Sequence, residues 1–290
     1  MSRPVTSECQ HVRAMVMAHH CAALLGIPPR GYPLARTFER LEGRSPGGDK
    51  GERWATELLG LTQSPARAKL MCKHCPEVRT LAAHPIWSVL DGKVQSLEGW
   101  QHVLLACEPE AAFRVDGALQ DPLRQLPKLV EPDHLTCLVM LLKSSNVAFI
   151  PYRSVFARGI QNSVAKLSLL PAWYPTRYRL KSLLQCQLAL PALSGYAGVY
   201  EYLDEQLDDT IEAYRLLFEW GRTTPLFNDL CEPEWAEFCS VFEHAPPRQR
   251  LEILEALAEY RRHPESVFRL PRLRRLCPSA LRVSRNPSGA

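Results

Sequence analysis

His134-Leu-Thr-Cys-Leu-Val-Met-Leu-Leu142 is an uninterrupted, mostly apolar run, and its reading decides the fold class of the chain. It is followed by Lys143-Ser-Ser-Asn146 and then by Val147-Ala-Phe-Ile-Pro-Tyr152. The connector has the length of a hairpin loop and carries a lysine at its edge, so the two runs read as paired strands. Upstream, Ile86-Trp-Ser-Val-Leu90, Lys93-Val-Gln-Ser-Leu97 and Trp100-Gln-His-Val-Leu-Leu105 are short β-branched or aromatic runs, and Asp91-Gly92 is a hairpin signal between the first two. These stretches predict a meander and a second strand pair. The expected fold class is α+β: a small N-terminal helical and knuckle region with a β-rich part, followed by a C-terminal helical bundle.

Outside this segment the pattern is helical. Ser7 is a candidate N-cap for a helix carrying Val12, Met15, Val16, His19, Ala23 and Leu24, and Gly26 and Pro28-Pro29 stop it. Tyr32 to Glu42 reads as a short helix running into Gly43-Arg-Ser-Pro-Gly-Gly-Asp-Lys-Gly51, a flexible loop by composition. Trp54 to Leu61 and Ala66 to Met71 resume the helical pattern. After Arg158-Gly159 come Ile160 to Leu170, a break at Pro171 and Pro175, and Thr176 to Leu190. From Tyr196 to Trp220, Val199, Leu203, Leu207, Ile211, Tyr214, Leu217 and Phe218 recur at three- and four-residue steps, one apolar stripe of an amphipathic helix. Glu232 to Phe242 and Pro247 to Arg261 add two more helices, so the C-terminal part resembles a bundle of antiparallel neighbours. The expected division is an N-terminal α+β domain over 1–158, a helical domain over 159–275 and a mobile basic tail over 276–290.

A chain of 290 residues can bury the core of one large or two smaller domains, and two is the expectation here. With 46% hydrophobic and 23% charged residues it has the composition of a globular protein rather than a disordered or fibrous one. It has no apolar run of membrane-spanning length and no basic-then-apolar leader pattern, which predicts a cytoplasmic protein with no membrane partner. Ten cysteines lie scattered, mostly inside apolar segments, and read as reduced thiols filling small buried sites. A net charge of +4 is too small to establish a nucleic-acid partner, although the end of the chain sets eight arginines from Arg261 to Arg285 against the single acid Glu265.

Met71-Cys72-Lys-His-Cys75-Pro76 is the one short motif with its own chemistry. Two thiolates at this spacing suit zinc, but a tetrahedral site needs two further ligands. By residue type these come from His74, His84, Cys9, His11, His19, His20 and Cys21. His20-Cys21 is the most useful pair, since a helix end can be brought against the turn. The candidate metal set is therefore Cys72, Cys75, Cys21 and His20, with zinc as the implied cofactor. The plainer alternative is a packed turn with two reduced thiols. A thioredoxin-like role is disfavoured because no βαβ pattern surrounds the motif.

Asp204, Glu205, Asp208, Asp209 and Glu212 include pairs one turn apart, but they lie off the apolar stripe and read as a solvated face. No serine or cysteine sits in a recognisable nucleophile elbow, and Cys107 and His102 fall on opposite faces of their expected strand. No enzymatic activity is expected. The more coherent set is basic: Lys143, Arg153, Arg158, Lys166, Arg177, Arg179 and Lys181, interleaved with Tyr152, Phe156, Trp173, Tyr174 and Tyr178. Cations neutralise phosphates and rings stack on bases, the mixture a single-strand-binding groove requires. Core packing of the aromatics is the alternative.

Cys72-Lys-His-Cys75, together with Cys21-Ala-Ala-Leu24-Leu-Gly26, Gly31-Tyr-Pro-Leu-Ala-Arg-Thr-Phe38, Trp87-Ser-Val-Leu-Asp91 and Trp100-Gln-His-Val-Leu-Leu105, resembles the large-subunit-like protein of type IV CRISPR effector complexes. The resemblance covers about the first half of the chain. It implies a zinc knuckle with two Cys-x-x-Cys halves, a β-rich segment and a helical C-terminal region. Here Leu24 stands where the first half would have its second cysteine, so either His20 substitutes or packing has replaced the metal. The resemblance implies a non-catalytic, RNA-binding and DNA-binding subunit of an antiviral ribonucleoprotein complex, contacting guide RNA, target DNA and other effector subunits. It would read a short duplex motif, for which the polar tip Lys143, Ser144, Ser145 and Asn146 is the candidate, while the guide supplies most of the sequence information. Two other readings stand beside it: a helical adaptor that docks a protein partner without nucleic acid, and a zinc-dependent enzyme.

Overall fold

The computed structural model describes residues 7–61, 64–92, 132–143, 150, 153–189, 207–223, 242 and 245–263. Among these residues there are helices and no strands, so the described fold is all-α and the expected α+β class is corrected. In chain order the helices are α1 (Glu8–Leu24), α2 (Gly31–Leu41), α3 (Glu52–Leu58), α4 (Pro65–His74), α5 (Pro76–Ala83), α6 (Ile86–Leu90), α7 (Asp133–Lys143), α8 (Arg153–Leu167), α9 (Arg177–Leu188), α10 (Leu207–Thr223) and α11 (Pro247–Arg262). A 3-10 turn, Tyr174–Thr176, leads into α9.

Two of the expected strands are helices. Every residue from His134 to Leu142 is buried in α7. A helix enclosed on all sides has no polar face, so its sequence loses the 3.6-residue period and looks like a buried strand. Ile86–Leu90 forms the short helix α6, again almost wholly buried. Asp91 is its C-cap and Gly92 follows with φ 68°, so the left-handed glycine that suggested a hairpin closes a helix instead. The expected strands at 93–97 and 100–105 lie outside the described residues, as does 147–152 apart from Ile150 and the tail 276–290.

α1 is the element on which both halves of the core are built. Ser7 caps it: the Ser7 Oγ accepts from the Gln10 N–H at 3.3 Å, and the Gln10 Oε1 accepts from the Ser7 N–H at 3.1 Å. Met17, Ala18, Cys21 and Ala22 enter a smaller apolar cluster with residues of α2 to α5, where Phe38 and Trp54 stack at 4.7 Å with rings 4° from parallel. Gly31 and Gly51 bring α2 and α3 together, since a Cβ on Gly31 would stand 2.1 Å from the Gly51 carbonyl oxygen. Cys9, Val12 and Val16 enter a larger cluster that runs through α6 to α11. There α7 lies along α8, α8 along α10 and α10 against α11. Residue 158, at the expected domain division, lies within α8.

Of the C-terminal stripe read from the sequence, Val199 and Leu203 lie outside the described residues, and in α10 Leu207, Ile211, Tyr214 and Leu217 are buried while Phe218 is exposed. α9 and α11 match their expected helices within two residues at each end. No helix among the described residues is long and apolar enough to cross a membrane.

Candidate nucleic-acid interface and thiol cluster

Trp173, Tyr174 and Tyr178 divide into an anchor and a surface. The anchor is Trp173, 2% exposed and stacked on Trp87 of α6 with centroids 5.5 Å apart. The Thr176 hydroxyl donates to the Trp173 carbonyl at 2.7 Å, which tightens the turn leading into α9. Tyr174 and Tyr178 then project outward, 49% and 46% exposed. Arg177 lies over both, its guanidinium carbon 4.1 Å from the Tyr174 centroid and 4.3 Å from that of Tyr178. Arg177 also donates to the Tyr174 carbonyl at 3.0 Å, so its fork is held in place by its own turn. Asp208, at the start of α10, accepts from the Tyr178 hydroxyl at 2.5 Å and lies 3.5 Å from Arg177 Nε. The result is a cation and two half-exposed rings in a fixed arrangement, chemistry suited to phosphate and base contact.

The other basic residues named from the sequence do not all join this surface. Arg179 donates to the Gly60 carbonyl at 2.9 Å and pairs with Glu8 at 3.5 Å, tying α9 to α1 and to the turn after α3. Lys143 is half-buried and donates to Gln187 Oε1 at 2.9 Å, and burial lowers its pKa. Lys181, Lys166 and Arg153 are partly exposed on α9 and α8. Arg158 lies in α8 with its side chain outside the described positions, and Ser144, Ser145 and Asn146 lie outside the described residues.

Cys75 is the joint between two helices, C-cap of α4 and N-cap of α5, with Pro76 opening the second. Cys72 therefore occupies the last turn of α4. This joint brings Cys75 against Cys21 of α1, with the two sulfurs 3.3 Å apart and both side chains buried. Burial, then the contact with Cys75, pushes the Cys21 thiol far above its ordinary pKa. Burial also raises Cys72, against the opposing pull of Arg79 and Arg13. It lowers His20, which Glu77 partly restores.

Two thiolates on one tetrahedral zinc, at about 2.3 Å each, stand roughly 3.8 Å apart. The Cys21 and Cys75 sulfurs are closer than that, and no group of three or more His, Cys, Asp or Glu in metal-holding geometry occurs among the described residues. Of the four candidates, Cys21 and Cys75 are in direct contact. The remaining histidines and Cys9 are engaged elsewhere. His74 bonds Glu42, His84 bonds Asp133 at 2.6 Å, His19 bonds the Leu58 carbonyl at 3.2 Å, His11 lies 3.5 Å from Glu8, and Cys9 donates to the Trp87 carbonyl at 3.4 Å.

A cavity of about 760 Å³ between α2, α3 and α4 has no counterpart among the sequence expectations. One wall is the 43–51 loop, which is pinned rather than loose. Glu39 accepts from the Gly47 and Asp49 N–H groups at 3.1 and 2.7 Å and is paired with Arg36, which donates to the Asp49 carbonyl. At the rim Glu42 takes hydrogen bonds from Lys73 and His74, which hold its carboxyl down to about 2. Behind the opposite wall Glu57, 1% exposed, accepts from Arg67 and from the Ser64 N–H, both at 2.8 Å. The Arg36/Glu39 spacing in a helix was the only sequence signal for this arrangement.

No protein-family model, curated protein or solved structure matches the chain.

Proposed function

We propose that this chain is a non-catalytic nucleic-acid-binding subunit of a ribonucleoprotein complex. The observation that carries the reading is Arg177 lying over the half-exposed rings of Tyr174 and Tyr178. Arginine offers a planar fork for phosphate oxygens, and the tyrosines offer faces for unpaired bases without selecting a sequence. Asp208 tempers the charge at this surface, so a phosphate would take the place of its long contact with Arg177 Nε. The narrower assignment, an RNA-guided effector subunit that contacts guide RNA and a motif in target duplex, is supported only by the sequence resemblance, at residues 21–26, 31–38, 72–75, 87–91 and 100–105.

The adaptor reading has one observation in its favour: Leu59 and Leu61, 59% and 57% exposed, flank Gly60 on the turn after α3. The two readings separate on purification of the full chain from cells expressing its genomic neighbours. A nucleic-acid binder carries RNA that nuclease digests and that elutes as salt rises. An adaptor keeps its protein partner through nuclease treatment and through charge reversal at Arg177, and is free of nucleic acid throughout.

A further inference from the structure

Among the described cysteines, Cys21 of α1 is brought against the Cys72/Cys75 motif at the joint of α4 and α5. The Cys21 and Cys75 sulfurs are 3.3 Å apart across a separation of 54 residues. A disulfide needs about 2.05 Å, so the sulfurs must close by only about 1.3 Å. Both side chains are sealed in the smaller core, at 0% and 3% exposure, whereas Cys72 is only partly buried. Cys72 is the member of the three that solvent reaches, and Arg79 of α5 donates to its carbonyl at 3.1 Å, which fixes the end of α4 beside the joint.

We propose that Cys21 and Cys75 are an oxidative modification site, converted to a disulfide by peroxide that enters at Cys72. The Cys72 thiolate attacks one peroxide oxygen, breaking the O–O bond and leaving a sulfenic acid and hydroxide. The Cys75 thiolate attacks the sulfenic sulfur and displaces a second hydroxide, giving a Cys72–Cys75 disulfide. Cys21, in contact with Cys75, attacks the Cys75 sulfur and releases the Cys72 thiolate. In sum two thiols are oxidised, one peroxide is reduced, and the two hydroxides leave as water with the two thiol protons. The product ties α1 to the joint between α4 and α5. It does not depend on the nucleic-acid reading.

The test uses the full chain, treated with chelator and then with hydrogen peroxide while folded. Alkylation, digestion without reductant and mass spectrometry follow. The expected result is a cross-linked peptide pair joining Cys21 to Cys75, lost on reduction, with a higher melting temperature for the oxidised protein. Cys72→Ser should slow its formation several-fold without abolishing it. Recovery of Cys21 and Cys75 as unlinked, alkylatable thiols after peroxide treatment overturns the site. Linkage at an unchanged rate in the Cys72→Ser protein overturns the proposed entry. Exposed Cys186 serves as an internal control, since it should be modified in every sample.

Discussion

Trp87 and Trp173 lie with parallel rings, centroids 5.5 Å apart and planes 6° from parallel. One belongs to α6 and the other immediately precedes the turn into α9, so this stack sets where Tyr174 and Arg177 emerge. Replacing Trp173 with alanine removes a fully packed ring and should cost about 3–5 kcal/mol in urea unfolding. Tyr174→Ala, a half-exposed position, should stay within about 0.5–1 kcal/mol of the parent. Equal costs for the two substitutions would show that the stack does not anchor the surface.

Buried Glu57 pairs with partly exposed Arg67, which lines the cavity. Burial raises the Glu57 pKa, while Arg67 and the Ser64 N–H pull it back, so the carboxylate depends on its partners. Arg67→Ala should destabilise by about 3–5 kcal/mol, because it strands a buried charge. A Glu57→Leu/Arg67→Met pair should recover most of that loss. A small cost for Arg67→Ala alone, measured by denaturant unfolding, would mean that water reaches Glu57.

His19 and His20 have pKa values lowered chiefly by burial. The unfolded rings therefore bind protons more tightly than the folded ones, and protonation favours unfolding. Stability from these groups is complete above about pH 6.5 and declines as pH falls below it. The urea midpoint should fall between about pH 7.5 and 5.5, and a His19→Gln/His20→Gln variant should show a shallower decline. Parallel curves for the two proteins would remove the histidines from the pH response.

Much of the helical layout is legible in the sequence wherever one side of a helix meets water. Ser7 announces the start of α1, and Leu207, Ile211, Tyr214 and Leu217 trace the buried face of α10. His134 to Leu142 defeats the same logic because every position is buried, so no period survives to separate helix from strand. Gly92 misleads for a related reason: a positive φ serves hairpins and helix ends alike. Composition also marks 43–51 as loose, whereas Glu39 and Arg36 fasten it through contacts that composition does not encode.

The candidate surface is half legible. Arg177 between two tyrosines is visible as a local pattern, since all three lie within one turn. Arg179 and Lys143 look equivalent to it in sequence, but their partners, the Gly60 carbonyl and Gln187, are distant along the chain. Arg177 also reaches a distant partner, Asp208, and what sets it apart is its place over two half-exposed rings. Cys21 and Cys75 show the same limit: their residue types suggest a common site, and the fold determines that they meet as a pair of touching thiols.

The most direct test of the nucleic-acid reading is a salt series of fluorescence-anisotropy titrations with labelled single-stranded RNA, comparing the parent chain with Arg177→Ala. Binding by the parent should weaken steadily as salt rises, and loss of one phosphate contact should reduce the log–log slope by about 0.7. No binding by the parent at low salt, or the same affinity and slope in the Arg177→Ala chain, would contradict the assignment of this surface.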